Sequence, residues 1–413
     1  MTERLDKHIL KNGLVILGEP MDAVGSAAYE FMLPAGAAKL PAGCCGAANV
    51  IEDWIFRGAA ALNSREIGDA LDSLGLHRAS SIGSAHLTIG SALEADNLEK
   101  ALVLYADVLL RAKLDDDQFK LAKQLAIDEL LSLDDDPKQK VMLKVKEQFY
   151  AQPLGRSTAG ELPDLKALTA ERTRQIIKDR FNLADTIFSV AGKYDFARLC
   201  SRMEDLFRWS AKASSANEIS PQVQTGGGYL HVDNDGAQVH IGLMTATVGP
   251  ADENYYNARL ALSVLSGGMS ARLFTEVREK RGLCYAIGAK YHCLKEAAGL
   301  VCYAGTSPDK AQQTLDCVIG EIRRLGDSID ENELARAKAG LKSALILQSE
   351  SSVSRAGALG SDYFMLGRVR SLDEIKDAVE RTTVDSVMGF LRNNKFENFT
   401  VVTIGPARVT VNY

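Results

Sequence analysis

The feature that most constrains this chain is that its second half echoes its first. LGRSTAGELPDLKAL from Leu154 returns as LGRVRSLDEIKDAV from Leu366. LTAERTRQIIKDRFNLADTIFSVAG, ending at Gly192, returns as TTVDSVMGFLRNNKFENFTVVTIG, ending at Gly405. The offset is close to 213 residues both times. Each pair reads as a helix, a polar turn around Asn or Asp, and a strand closing on Gly. A repeat this long is a duplicated domain, since solenoid units recur every ~20–50 residues. A chain of 413 residues also suits about two domains of ~200 residues better than one core.

The joint is visible in SAKASSANEISPQVQTGGG, Ser210 to Gly228, which is small, polar and rich in breakers. It reads as a linker. The expected organisation is therefore an N-terminal domain over residues 1–209, a linker over 210–228 and a homologous domain over 229–413. SAAYEFMLPAG and HLTIGSALEA alternate in part as strands do. Leu98, Ala101, Leu102, Tyr105, Val108 and Leu109 follow the 3.6 period of an amphipathic helix, as do Ile67, Ala70, Leu71 and Leu74. Asn63 or Ser64 can cap the latter helix, with Glu66 close behind. Leu315, Val318, Ile319, Ile322 and Leu325 repeat the helical pattern in the second half. Strands beside runs of helices predict an α+β fold with antiparallel-rich sheets.

Hydrophobic content of 46% with 25% charged residues describes a soluble globular chain. A net charge of −6 gives no reason to expect nucleic acid or an anionic membrane as partner. No window approaches 18 apolar residues, so no membrane span is expected. MTERLDKHILKNGLVILGEP is charged from the start and lacks a long apolar core, so no signal peptide is expected. Seven scattered cysteines, odd in number and without a C-x-x-C pair, point to free thiols in a reducing, cytoplasmic compartment. The acidic runs Asp115–Asp117 and Asp134–Asp136 read as solvated helix ends.

The stretch with the most chemical content is GAANVIEDWIFRG, Gly46 to Gly58. On a helix, positions 49 and 53 share one face a turn apart, with 52 beside them. Two His at that spacing grip one zinc ion, and a Glu between them acts as base on the metal-bound water. Here the three positions hold Asn49, Glu52 and Asp53. A neutral amide is a poor zinc ligand, and one carboxylate does not replace two imidazoles. The six histidines (8, 77, 86, 231, 240, 292) contain no helical pair at zinc spacing. Two other readings stand beside a zinc site: an oxygen-only Mg²⁺ or Ca²⁺ site from Asn49, Asp53 and a further carboxylate, or no metal, with Glu52 and Asp53 in polar or ion-pair roles. Cys44 and Cys45 read as buried thiols. GGMSARLF lacks the signatures of a phosphate loop. His86 and His240, in strand-like runs, read as core or edge residues.

The pattern G-x-x-N-x-x-E-D-x-x-F-R-G resembles the inverted zinc motif of the pitrilysin family, with both histidines replaced. That family includes insulin-degrading enzyme and the mitochondrial processing peptidase. The likeness continues through SREIGDALDSLG, Ser64 to Gly75, and FKLAKQLAIDELLSLDDDP, Phe119 to Pro137. Glu129 matches the family's third zinc ligand, and Ala122 stands where the family usually carries another acidic residue. In the second half, SGGMSARLFTEVREKRGLCYAIGA, Ser266 to Ala289, is similar to the family's Gly-rich turn, helix and R-x-x-x-x-x-x-Y element.

The resemblance implies two homologous domains, each a sheet of about six strands packed against helices on one side. It also implies that Arg278 and Tyr285 match the residues that hold substrate backbone and stabilise the oxyanion. A guanidinium and a phenol are both donors, and donors aimed at a developing oxyanion supply on the order of 3 kcal/mol. Asn49, Glu52, Asp53 and Glu129 are then degraded zinc-site positions, with no cofactor in this chain. Short members of the family can work as heterodimers in which one subunit holds zinc and the other presents the Arg and Tyr. The expectation is a pseudo-peptidase of the second kind, inactive alone, binding peptide beside a zinc-bearing homologous subunit. The alternative is a scaffold or assembly protein of the same fold, for which a homodimer is possible, as in the family's respiratory-complex core subunits. A third reading is a hydrolase with an oxygen-ligated metal held by Asn49, Glu52, Asp53 and Glu129.

Overall fold

The computed structural model describes residues 4–208 and 226–411. The chain divides into two compact units that are not contiguous in sequence. One runs to Ser132, resumes at Arg156 and includes Gln348–Val369; the other takes Leu133–Gly155, the stretch that ends at Leu347, and the chain from Arg370. Of the linker expected over 210–228, residues 210–225 lie outside the described residues, and Gly228 is already the first residue of a strand.

The first unit is built on a sheet. Its strands are β1 (Asp6–Ile9), β2 (Val15–Pro20) and β3 (Ser26–Leu33), followed after a separate small hairpin of β4 (Gly58–Ala59) and β5 (Leu62–Asn63) by β6 (His77–Ile82), β7 (Leu87–Glu94) and β8 (Ile187–Gly192). The six-stranded order is β1-β2-β8-β3-β7-β6. Only β2 and β8 run parallel; the other neighbours are antiparallel. Its helices include α1 (Ala47–Trp54), α2 (Ser64–Ser73), α3 (Leu98–Arg111) and α4 (Asp116–Ser132). Asn63 caps α2 in a reciprocal box: its Oδ1 accepts from Glu66 N at 3.0 Å, and Glu66 Oε2 accepts from Asn63 N at 2.8 Å. On α3 the residues expected from the period are the buried ones.

Alternation along β3 sends its side chains into two different cores. Ala27, Tyr29, Phe31 and Leu33 join Trp54, Leu102, Tyr105 and Phe188 on the helix-covered face. Their rings interlock, with centroids 5.1 Å apart for Tyr29–Tyr105 and 4.7 Å for Phe31–Phe188. Ala28 and Met32 point the other way, and that face is covered by the helix Ser352–Leu366 from the far end of the sequence. Leu359 fills the space between Val15, Leu17, Met32 and Ile187, and Ala356 lies on Ala28 and Ala191. Beside them Arg355 clamps Glu19, its Nε 3.0 and 2.8 Å from the two carboxylate oxygens, with both side chains under 8% exposed.

The second unit repeats the plan. Its strands are β9 (Gly228–Asp233), β10 (Val239–Thr247), β11 (Ala286–Cys293), β12 (Ala298–Thr306) and β13 (Thr400–Gly405), in the order β11-β12-β10-β13-β9. This is the order β6-β7-β3-β8-β2 of the first sheet, with the parallel pair (β9, β13) in the same place. β8 and β13 are the two copies found in the sequence, 213 residues apart. Each closes on a glycine at positive φ, where a Cβ would lie 2.3 Å from Ser26 O (Gly192) or 2.5 Å from Gln238 O (Gly405). The second sheet has five strands among the described residues, not about six, and lacks a counterpart of β1.

One face of this sheet packs against Tyr255–Ser266, Ala311–Arg324 and Val384–Asn393. The other is covered by α5 (Pro137–Phe149), whose Val141, Val145 and Phe149 meet Met244, Val301, Val402 and Ile404. Asp136, from an acidic run, caps α5 by accepting from Gln139 N at 2.9 Å. Helices therefore lie on both faces of each sheet, and the second face is covered from the opposite half of the sequence. This differs from helices on one side, and from a simple division at the linker. An amphipathic stripe shows that a helix buries one face, not which sheet receives it. Among the described residues no helix is long and apolar enough to cross a membrane.

Leu359→Ala should destabilise the first unit by about 2–5 kcal/mol through lost burial and the cavity left behind. Arg355→Met should cost about 3–5 kcal/mol, because it leaves Glu19 charged and buried. Hydrogen exchange of the β2 and β3 amides reads both, and unchanged protection in both variants would contradict the packing of Ser352–Leu366.

Candidate functional site

In the first unit Asn49, Glu52 and Asp53 stand on α1. The helix starts from Gly46 at φ +100, where a Cβ would lie 2.8 Å from Leu165 Cδ2. Ala47, Ala48, Val50, Ile51 and Trp54 are buried, which leaves Asn49, Glu52 and Asp53 half-buried on the opposite face, as their spacing requires. The buried face packs on α4. Trp54 stacks edge-on to Phe119 with centroids 4.9 Å apart, and its Nε1 donates to Asp115 O at 3.1 Å. Ala122 is fully buried in this core, so an acidic residue there would face apolar neighbours.

The packing of α1 on α4 also brings Glu129 to the other carboxylates. Its carboxyl is raised above the usual range, first by burial and then by the charges of Glu52 and Asp53. Each remaining polar group has its own circumstance. Glu52 Oε1 accepts from Ser80 Oγ at 2.5 Å, on the outermost strand β6. Asp53 is ion-paired with Arg57 one turn on. Asn49 Oδ1 is buried and has no partner among the described residues.

This donor set does not fit zinc. Tetrahedral zinc takes imidazole, thiolate and carboxylate ligands, and here an amide and a guanidinium-bound carboxylate stand in the two imidazole positions. For a hard cation the oxygens are already engaged in part, Asp53 by Arg57 and Glu52 by Ser80. Among the described residues no group of three His, Cys, Asp or Glu side chains is placed to hold a metal ion. The ion-pair role expected for Asp53 is met by Arg57, the Arg of the F-R-G that closes the pattern, whereas the Ser80 partner of Glu52 lies 28 residues on. The i, i+4 spacing of Asp53 and Arg57 was a usable signal for the first; nothing local signals the second.

In the second unit the Arg and Tyr lie on one braced surface segment. After Tyr255–Ser266 comes an exposed turn, Gly267 to Ser270, tied back to β11 where Ser266 Oγ accepts from Ala289 N at 2.8 Å. Phe274–Glu279 then forms a wide helical turn of π type, with Lys280 N donating to Thr275 O at 2.9 Å. Such turns are rare and are often found at functional sites. Val277 anchors it inward, while Arg278 points out, its guanidinium 4.8 Å from the Phe274 ring centroid. Glu276 is occupied by Lys280 at 2.7 Å and Arg281 at 2.8 Å. Arg278 therefore has no carboxylate partner among the described residues.

The chain then turns through Gly282, at φ +56, to Tyr285. Lys310 Nζ donates to Gly282 O at 3.0 Å, Thr306 and Thr314 donate to Leu283 O, and Tyr285 N donates to Gly305 O at 3.2 Å. Leu283 and Cys284 are buried, and burial pushes the Cys284 thiol up to about 11. Tyr285 itself is 75% exposed. Tyr285 is thus held out into water on a backbone pinned by several donors. The bracing residues are far from Tyr285 in sequence and carried no local signal.

Comparison with known proteins agrees with this plan. The family model for the insulinase (peptidase family M16) domain matches residues 25–162, and that for the peptidase M16 inactive domain matches residues 167–341. An uncharacterised zinc protease of Rickettsia felis is 26% identical over 408 residues, covering 98% of each chain. The peptidase M16 inactive domain structure from Pseudomonas fluorescens superposes with a TM-score of 0.89 at 17% identity, covering 99% of this chain and 100% of that one. A chain of Complex III2 from Candida albicans superposes at 0.85 with 18% identity, covering 98% and 96%. With both halves matched in their order along the sequence, the chain belongs to the insulinase family of metallopeptidases, peptidase family M16.

Proposed function

We propose that this chain is the non-catalytic subunit of a heterodimeric zinc peptidase, presenting Arg278 and Tyr285 in trans to peptide bound at the zinc of a homologous partner. The observation that carries this reading is an asymmetry. The motif positions on α1 hold no usable ligand set, yet an Arg without a carboxylate partner and a 75% exposed Tyr persist on a braced turn. An exposed tyrosine contributes little to folding, so its role is sought in contact with a ligand. Arg278 would hold a peptide carbonyl through its fork, and the Tyr285 hydroxyl would donate to the developing oxyanion. The compartment is cytoplasmic in this reading, and the chain itself carries no cofactor.

The second reading is a scaffold or assembly protein without a part in proteolysis. The likeness in fold to a chain of Complex III2 favours it, and a stable homodimer with no hydrolytic partner would support it.

Quenched fluorescent peptides separate the two. The chain alone should be inactive, and mixing with a zinc-bearing homologue from the same genome should produce activity that a chelator removes. Tyr285→Phe should lower kcat of the mixture about 10²–10³-fold, the usual loss for one oxyanion donor, with the dimer intact by sedimentation. Full activity in both Tyr285→Phe and Arg278→Ala mixtures would end the trans-site reading. Metal analysis gives an independent check on α1. The purified chain should hold no stoichiometric zinc, whereas Asn49→His with Asp53→His should bind about one zinc per chain, with Glu129 as third ligand. Equal zinc in both proteins would contradict the account of the site.

A further inference from the structure

The face of the first sheet beneath Ser352–Leu366 carries polar groups where an apolar layer would be expected. In register across β2, β8, β3 and β7, Leu17, Ser189, Glu30 and Gly90 stand side by side. Glu19, Ala191, Ala28 and Ala92 form the row two residues away. Glu19 has its counter-ion in Arg355. Glu30 makes no hydrogen bond or ion pair among the described residues.

The helix meets this spot with glycines. A Cβ on Gly360 would lie 3.0 Å from Glu30 Oε1 and 3.2 Å from Ser189 Oγ, and one on Gly357 would lie 3.7 Å from Glu30 Oε2. The carboxyl and the hydroxyl therefore converge on one point of the helix. Ser189 Oγ is itself buried without a partner among the described residues. Burial raises the Glu30 carboxyl to about 7. The charged or titratable groups on this face are Glu19 on β2, Lys7 on β1, His77 on β6 and Arg355 on the helix; Lys7 stands in the row of Glu30, three strands away, and His77 in the row of Glu19, two strands from β3. β8, β3 and β7 add Ser189, Met32, Ala28 and Gly90, none of which titrates. Further along the helix, beside Asp362, Lys7 lies 4.5 Å from the Tyr363 ring centroid and His86 meets Phe364 edge-on at 4.3 Å.

We propose that Glu30 is a proton-operated catch for the helix Ser352–Leu366. As the neutral acid, Glu30 can donate to Ser189 Oγ, and the helix seats on the sheet. As the carboxylate it is a half-buried, partly desolvated charge with no ion pair among the described residues, so the helix loosens and the outer face of the first sheet is bared. The seated state binds the proton more tightly than the open state, where the carboxyl meets water and titrates near its ordinary 4.5. Opening therefore becomes easier as pH rises from about 4.5 through about 7, and levels off above that. The inference does not depend on the proposed peptidase role.

Hydrogen exchange of the full chain at about pH 5.5 and about pH 8, corrected for intrinsic rates, tests it. The opening constant of the Ser352–Leu366 amides should rise about tenfold or more, with α3 unaffected, and Glu30→Gln should abolish the rise. Equal protection at the two pH values overturns the proposal. So does a pH dependence that survives Glu30→Gln and vanishes in His86→Gln. If Glu30→Gln does not fold, carbon-13 titration of the Glu30 carboxyl in the unaltered protein decides. A midpoint near 7 shared with helix opening supports the catch, and one near 4.5 overturns it.

Discussion

A strand that is apolar on both faces needs two covers, and the architecture of this chain follows from that need. Along β3 the residues facing one way are Tyr29, Phe31 and Leu33, and those facing the other way include Ala28 and Met32. The near helices cover the first set. The second is covered by Ser352–Leu366, and on the second sheet the same office falls to α5. The two helices occupy equivalent places in the repeat. Neither contiguous half of the sequence contains both covers for its own sheet, so each half alone would leave a row of apolar side chains in water. The duplication is thus an exchange between halves as well as a doubling.

The same logic separates the fold of α1 from the chemistry of its outer face. α1 is held by Trp54 against Phe119 and by its small apolar face, and none of these contacts involves positions 49, 52 or 53. Substitution at those three positions therefore leaves the helix in place and changes only the chemistry on its outer face. The local arrangement there is that Asp53 pairs with Arg57, Glu52 accepts from Ser80, and burial together with the two carboxylates of Glu52 and Asp53 raises Glu129. The Arg and Tyr segment is different. Its geometry rests on polar braces, including Arg272 gripping Glu333 at 2.7 and 2.6 Å and Lys310 on Gly282 O. These polar bonds give a modest net stability return each, and they hold the backbone rather than the Tyr285 side chain, which stays 75% exposed.

Much of this was legible in the sequence because it is written in local spacing. The cap at Asn63 with Glu66, the buried stripe from Leu98 to Leu109, the closing glycines 192 and 405, and the shared face of 49 and 53 all involve residues a turn or a repeat apart. What was not legible depends on partners far along the chain. The helix exchange is one case, the pins on Gly282 and Leu283 another. The wide turn at Phe274–Glu279 escaped because its residues suit an ordinary α-helix equally well, and only the hydrogen bonding distinguishes the two.

Glu30 shows the limit most clearly. In SAAYEFML it occupies the polar slot of an alternating strand, which by pattern alone belongs in water. The alternation is true to the pleat: Glu30 does face away from the aromatic core, on the side of Ala28 and Met32. The pattern cannot show that a helix 322 or more residues downstream will arrive on that side, with glycines at 357 and 360 where it crosses the carboxyl. A wholly apolar row would have seated the helix more firmly. The charge at Glu30, with small residues making room for it, marks the one place where this cover is easiest to lift.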